Sequence, residues 1–172
     1  RSETEIDCIC DVWCTLKNYS VTSDIDEKCI QINGTMSCIV LAKNEEGRRD
    51  INEALSDANI DGYYGQPRVD LELLMKIKPE NVMVTTACLA YWKYDDIEDI
   101  TVELHKHFGD NFFLEIQYHD TDEQKQLNKR ILEISKKYGI DIILGYDSHY
   151  IYEEDSVERD NYIATRRKNY NR

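Results

Sequence analysis

The chain has 172 residues, and its 41% hydrophobic and 32% charged residues are typical of a globular domain with a core of its own. No apolar run approaches the roughly 20 residues of a membrane span, which excludes a membrane protein, and with no signal peptide we expect a cytoplasmic location. The net charge of -13 repels phosphate backbones and argues against a chain that binds DNA by itself.

The first predicted unit, residues 1–35, is an early strand followed by an irregular hairpin region. Alternating apolar and polar residues predict a strand over 6–13, and a second strand over 29–32 leads into a tight turn at Asn33 and Gly34.

The second predicted unit, residues 36–165, alternates strands with helices. A strand over 37–42 precedes a helix that begins at Asn44, and Asp70 caps a short helix. Further strands are predicted over 81–85, 112–117 and 140–144, the last of them wholly buried, with amphipathic helices between them that end at Gly109 and Gly139. A last helix over 153–165 leads into a basic tail, residues 166–172, which is the third unit.

This repeated order of strand and helix predicts an α/β fold with mostly parallel strands. Five or six strands fall short of the eight strands, over about 250 residues, of a complete barrel. The sequence therefore predicts either an open sheet or part of a barrel whose first strands are missing.

The cysteines do not form a zinc ribbon, because the Cys8, Cys10 and Cys14 spacing lacks paired Cys-x-x-Cys knuckles. We expect all of the cysteines to be reduced thiols and mostly small core residues.

Potential ligands follow three successive strands. Cys88 follows one strand, His119 the next, and Asp147 with His149 the one after, so we expect all of them at the edge of the sheet where such folds place their sites. Asp147 and His149 are two residues apart in extended backbone and lie on one side of it, which suits a divalent metal or acid/base chemistry. The alternative is a capping aspartate beside a surface histidine.

The strand over 112–117 carries Glu115 and Gln117 in alternation with Leu114 and Ile116. This alternation is compatible with polar side chains in a barrel interior or with polar side chains in solvent.

Four motifs occur in order along the chain: LAKNEEG at 41–47, YYGQPRVDLELL at 63–74, TTACLA at 85–90 and YDSHY at 146–150. Together they resemble one family, the PHP (polymerase and histidinol phosphatase) domain of the bacterial and phage DNA polymerase III alpha subunit. The forms QYHDTDEQK at 117–125 and DSHYIY at 147–152 are most similar to phage versions, and the resemblance covers residues 36–163.

The resemblance implies part of a distorted (β/α)7 barrel that binds up to three divalent metals, zinc or manganese. Cys88, Asp147 and His149 match metal-ligand positions, and Glu5 matches a ligand glutamate more weakly. Ser37 stands where the family has a ligand histidine. The family's opening His-x-His and Asp-His motifs would lie before residue 1, so we expect an N-terminally truncated domain in which at most one ion binds weakly.

In functional terms, the resemblance implies a region of a DNA-directed DNA polymerase, a nucleotidyltransferase that acts in DNA replication. We expect a metal-dependent 3′–5′ exonuclease or phosphoesterase site with Asp147 and His149 as catalytic residues and His119 beside the ligands or the phosphate. This chain alone is expected to be inactive, with the other polymerase domains as partners and DNA bound only by the intact polymerase. The alternatives are a non-catalytic structural or interaction module of the polymerase and a freestanding phosphoesterase.

Overall fold

The computed structural model describes residues 9–10, 17–19, 32–33, 38–63, 69–88, 92, 97–146 and 148–170. Glu5, Ser37 and Asp147 lie outside these residues, as do Gly34 of the predicted turn and most of the predicted strands over 6–13 and 29–32.

The described residues form an α/β structure, which confirms the predicted fold class. The strands are β1 (Ile9–Cys10), β2 (Lys17–Tyr19), β3 (Ile32–Asn33), β4 (Ile39–Ala42), β5 (Val82–Thr85), β6 (Phe112–Gln117) and β7 (Ile142–Gly145). The α-helices are α1 (Glu45–Ile60), α2 (Leu71–Leu74), α3 (Ile97–Phe108), α4 (Asp122–Tyr138) and α5 (Ser156–Tyr170). None of these helices is long and apolar enough to cross a membrane.

Among the described residues, five strands form one sheet in the order β1-β4-β5-β6-β7, and β2 pairs with β3 in a separate sheet. The strands β5, β6 and β7 are parallel, as the repeated strand and helix pattern predicts. The strand β4 is antiparallel to both β5 and β1, so this part of the sheet differs from the repeated parallel units that the sequence predicts. Because Ile39 pairs with Thr85, β4 begins at the edge of the sheet where β5 ends.

The antiparallel pairing arises because the chain between β4 and β5 returns to the edge that it left. The backbone N–H of Lys43 donates to the carbonyl of Asn81 at 2.8 Å and extends the pairing beyond Ala42. The buried residue Gly47 in the first turn of α1 packs on the same point, where a Cβ atom would overlap the Asn81 carbonyl oxygen. This close approach requires glycine and fixes α1 against the start of β5.

Three helix ends are those that the sequence predicts, whereas α5 continues to Tyr170, beyond the predicted end at residue 165 and into the segment predicted as a tail. The side chain of Asn44 accepts a hydrogen bond from the Gly47 backbone N–H at 2.8 Å, and Asp70 accepts one from Leu73 at 2.8 Å. Gly139 ends α4 in a left-handed conformation with φ of 70°, which favours glycine.

The described residues form an apolar core between the sheet and the helices. Its largest fully buried side chains are Phe108, Phe112, Ile51, Leu71, Leu74, Ile97, Leu104, Leu114 and Ile131. Cys38 belongs to this buried core, as predicted for most of the cysteines, whereas the side chains of Cys8, Cys10, Cys14 and Cys29 lie outside the described residues.

The prediction that the strand over 140–144 is wholly buried is wrong. Leu144 is 59% exposed, and Ile142 and Ile143 are half-buried. Within the described part of the chain β7 is the last strand of its sheet, with a paired neighbour only on the β6 side, so part of its surface stays in contact with solvent.

Candidate functional site

The residues that directly follow β5, β6 and β7 lie at one edge of the sheet, here called the strand-end rim. Cys88 lies three residues after the end of β5, His119 two residues after β6, and His149 four residues after β7. Because these strands are parallel neighbours, their carboxyl ends point to the same edge. Ligand sites in parallel α/β folds lie at this edge.

The predicted ligands at the rim differ in exposure. Cys88, a free thiol, and His119 are half-buried, and His149 is exposed. Among the described residues no group of three or more His, Cys, Asp or Glu side chains is arranged to hold a metal ion, so Cys88, His119 and His149 do not form such a group by themselves. Asp147 and Glu5 fall outside the described residues, and their roles stay predictions.

A buried polar cluster lies at the ends of β5 and β6. The carboxylate of Glu115, a residue that is 6% exposed, accepts a hydrogen bond from the Thr85 hydroxyl at 2.9 Å and another from the Gln117 amide at 2.8 Å. The structure therefore places Glu115 and Gln117 in the interior, one of the two arrangements that their alternation in sequence allows. Neither residue is identified as part of the site by the sequence alone.

The turn that carries Cys88 is tied to this cluster. The backbone N–H of Glu115 donates to the Thr86 hydroxyl at 3.0 Å, and the N–H of Ala87 donates to the Thr85 hydroxyl at 3.4 Å. Ala87 has φ of 48°, a left-handed conformation that a residue with a side chain adopts at a cost of roughly 1–2 kcal/mol. These contacts position Cys88 relative to β6.

The Glu115 side chain also reaches the end of β7. A Cβ atom at Gly145 would overlap Oε1 of Glu115 and would lie 2.8 Å from its Cγ. Glu115 therefore lies between the strand end that leads to Cys88 and the strand end that leads to Asp147 and His149.

One buried acceptor in this region has no partner. Gln117 is 3% exposed, and its Oε1 atom forms no hydrogen bond with any of the described residues, while its Nε2 atom is bonded to Glu115. A buried carboxylate next to an unsatisfied carbonyl oxygen is an acceptor-rich, negatively charged environment, and such an environment suits a cation.

Comparison with known proteins agrees with the resemblance in the motifs. The sequence pattern described as PHP domain matches residues 10–119. The chain is 38% identical over 131 residues to the DNA polymerase III subunit alpha of Treponema pallidum (strain Nichols), a match that covers 71% of this chain and 11% of that protein. It is 31% identical over 130 residues to the protein of the same name from Borreliella burgdorferi, with 71% of this chain and 11% of that protein covered. It is 29% identical over 143 residues to the one from Thermus aquaticus, with 78% and 12% covered.

The chain spans about a tenth of the length of the curated relatives that it matches. The matched pattern includes β4, β5 and β6 together with Cys88 and His119. The mixed α/β sheet agrees with part of a PHP-type barrel. On these grounds, the chain belongs to the PHP domain family.

Proposed function

We propose that this chain is the PHP-domain region of a DNA polymerase III alpha subunit and acts in DNA replication. The support is its family and the name shared by the relatives described above. The form of the motifs at 117–125 and 147–152 favours a polymerase of the phage type. The partners are then the other domains of the polymerase, and the intact protein binds the DNA, since the net charge of -13 disfavours DNA binding by this region alone.

We further infer that the strand-end rim is a divalent-metal phosphoesterase site, with 3′–5′ exonuclease activity in the intact polymerase. The observation that carries this inference is the buried Glu115 carboxylate, which lies between the strand ends leading to Cys88 and to Asp147 and His149. Its partners Thr85 and Gln117 are polar. A rim filled by apolar side chains would instead favour a non-catalytic module.

Cys88, Asp147 and His149, with Glu5 as a further candidate, would hold the ion. A thiolate with an imidazole and a carboxylate suits zinc, whereas manganese prefers sites richer in oxygen ligands. A divalent ion in such a site neutralises charge on a phosphate group and lowers the pKa of a bound water.

Other steps of the reaction would depend on the protein side chains. Asp147 and His149 are the groups that would accept or donate a proton near the scissile phosphate. His119, half-buried at the end of β6, would contact the phosphate or orient a ligand.

The test is the metal content of the purified chain, measured by plasma mass spectrometry. A stoichiometric divalent metal that is lost in the double variant Asp147→Ala, His149→Ala supports the site. The matched control is Asp110→Ala with His107→Ala, since these residues adjoin the start of β6, away from the rim, and should leave the metal content unchanged. An absence of metal from the wild type, or equal metal in both double variants, contradicts the proposal.

The exonuclease part has a separate test. Release of the 3′-terminal nucleotide from a mismatched primer by the intact polymerase should fall at least tenfold in the Asp147→Ala, His149→Ala variant, because its ion and acid/base groups are removed. Unchanged release would exclude the rim as the nuclease site.

A further inference from the structure

We propose that Tyr118 and Tyr146, here called the tyrosine pair, stack on the bases of an unpaired, single-stranded DNA end at the strand-end rim. This inference rests on the proposed function, because it names the part of the substrate that the rim would contact. It assigns a role to two residues that are neither proposed ligands nor proposed acid/base groups.

The first argument is the position of the two rings. Gln117 and Gly145 are the last paired residues of the neighbouring strands β6 and β7, and one of the tyrosines directly follows each of them. Neighbouring strands lie about 4.8 Å apart, so the two tyrosines leave the sheet side by side. A substrate that reaches the residues after these strand ends would therefore pass both rings.

The second argument is exposure. Tyr118 is 78% exposed and Tyr146 is 67% exposed, so neither ring takes part in the apolar core. A single exposed apolar side chain needs no explanation, but exposed aromatic rings that adjoin one another at a candidate site mark a binding surface. An aromatic ring offers a ligand a large flat area and loses little conformational freedom when it is covered.

The third argument is the fixed backbone on which the rings stand. The carbonyl oxygen of Gln117 accepts a hydrogen bond from the Asn128 side chain at 2.8 Å, and the Gln117 side chain donates to Glu115 at 2.8 Å. Gly145 packs closely on the same Glu115 side chain. Because the residue before each tyrosine is held in place, a ligand that stacks on the pair has less chain to order.

The charge of the chain selects the kind of contact. The net charge of -13 opposes binding through the phosphates of DNA. Stacking on the face of a base needs no positive charge and tolerates every base. In a duplex the base faces are covered by the neighbouring base pairs, so the tyrosine pair should favour an unpaired end, such as the mismatched end that an exonuclease removes.

The first test is a nuclear magnetic resonance titration of the chain in EDTA, so that no divalent metal is needed for the result. The two probes are a single-stranded thymidine tetranucleotide and an abasic deoxyribose-phosphate oligomer of equal length and charge. We expect the thymidine oligomer to bind about 5–100-fold more tightly, and we expect Tyr118→Ala, Tyr146→Ala to lose this difference. The matched control is Tyr118→Phe, Tyr146→Phe, which keeps both rings and should keep the difference.

Equal affinity of the wild type for the two oligomers overturns the inference, and so does a preference for bases that the alanine double variant retains. Loss of the preference in the phenylalanine control would also overturn it, since the hydroxyl groups rather than the rings would then be responsible. If the alanine double variant does not fold by circular dichroism, the two single alanine variants replace it, and each should weaken the preference.

The second test uses the intact polymerase and primers with a mismatched 3′ end. The alanine double variant should raise the KM for release of the terminal nucleotide at least about fivefold with little change in kcat, and the phenylalanine control should behave like the wild type. An unchanged KM overturns the role of the tyrosine pair. A wild type that contains no metal and releases no nucleotide overturns the proposed function instead, while the metal-free titration still decides whether the pair binds bases.

Discussion

Replacing Gly145 with alanine should destabilise the protein through one buried side chain. The new Cβ atom would overlap Oε1 of Glu115 and would lie 2.8 Å from its Cγ, so the glutamate must move. Movement breaks the hydrogen bonds that the carboxylate accepts from Thr85 and Gln117, at 2.9 Å and 2.8 Å. Gly145 does not have a positive φ, so alanine introduces no backbone strain there.

These contacts determine how much unfolding free energy Gly145→Ala should lose. Losing two buried hydrogen bonds, or overpacking the interior, costs about 2–3 kcal/mol of unfolding free energy. In a Glu115→Ala background the obstacle is absent, and Gly145→Ala should be neutral or stabilising by about 0.4–1 kcal/mol, because alanine restricts the unfolded chain. The two changes should therefore show a coupling energy of about 2–4 kcal/mol.

The assay is urea unfolding of the four proteins of this cycle, followed by far-ultraviolet circular dichroism. The control is Gly139→Ala, where φ is 70° and no atom lies within 4 Å of the new Cβ, so its cost of about 1–2 kcal/mol is backbone strain and should be equal in both backgrounds. If Gly145→Ala costs the same with and without the Glu115 side chain, the position assigned to that side chain is wrong.

Three further changes test the rest of the fold. Gly47→Ala should destabilise the protein by about 1–3 kcal/mol in thermal unfolding, because the new Cβ would overlap the Asn81 carbonyl oxygen. Alanine usually favours a helix, so a stabilised variant would contradict this contact. Asn44→Ala should lower the unfolding free energy by about 1 kcal/mol in urea, since the Asn44 side chain caps α1 at Gly47 and donates to Asn81 at 3.0 Å. An unchanged unfolding free energy would contradict the capping role of Asn44. The hydrogen bond from Lys137 lowers the pKa of the Glu98 carboxyl below its ordinary value of 4.5. The stability that this hydrogen bond contributes is therefore present above pH 4.5 and is lost as the pH falls through the folded-state pKa of Glu98. In Glu98→Gln the unfolding free energy should therefore decrease less steeply below pH 4.5 than in the wild type. An equal decrease in both proteins would contradict the interaction of Glu98 with Lys137.

Local signals account for the parts of the fold that sequence predicts well. The bounds of β6 agree with the predicted strand over 112–117, and Asn44, Asp70 and Gly139 act at the helix ends where their side chains or backbone preferences place them. These features depend on residues within a few positions of one another.

Non-local features were harder to predict. The direction of β4 depends on where the chain returns after α1 and α2, and a βαβ pattern does not reveal a connection that comes back to the same edge. The exposure of Leu144 depends on what covers β7, not on the apolar run that β7 contains.

The candidate site also has a part that local sequence signals predict and a part that depends on distant residues. Placing Cys88 and His119 after strand ends needed only the strands, and the structure has both residues there. That Glu115 faces the interior depends on Thr85 and Gly145, which belong to other strands and which no spacing in the sequence connects to it.

The proposed metal site at the strand-end rim includes Cys88 as a ligand of the divalent ion. The most direct measurement is X-ray absorption at the zinc edge on the zinc-loaded chain, for the wild type and for Cys88→Ser. We predict one sulfur neighbour at about 2.3 Å with nitrogen and oxygen neighbours at about 2.0–2.2 Å, and loss of the sulfur neighbour in Cys88→Ser. A spectrum without a sulfur neighbour, or one that Cys88→Ser leaves unchanged, would exclude Cys88 as a metal ligand.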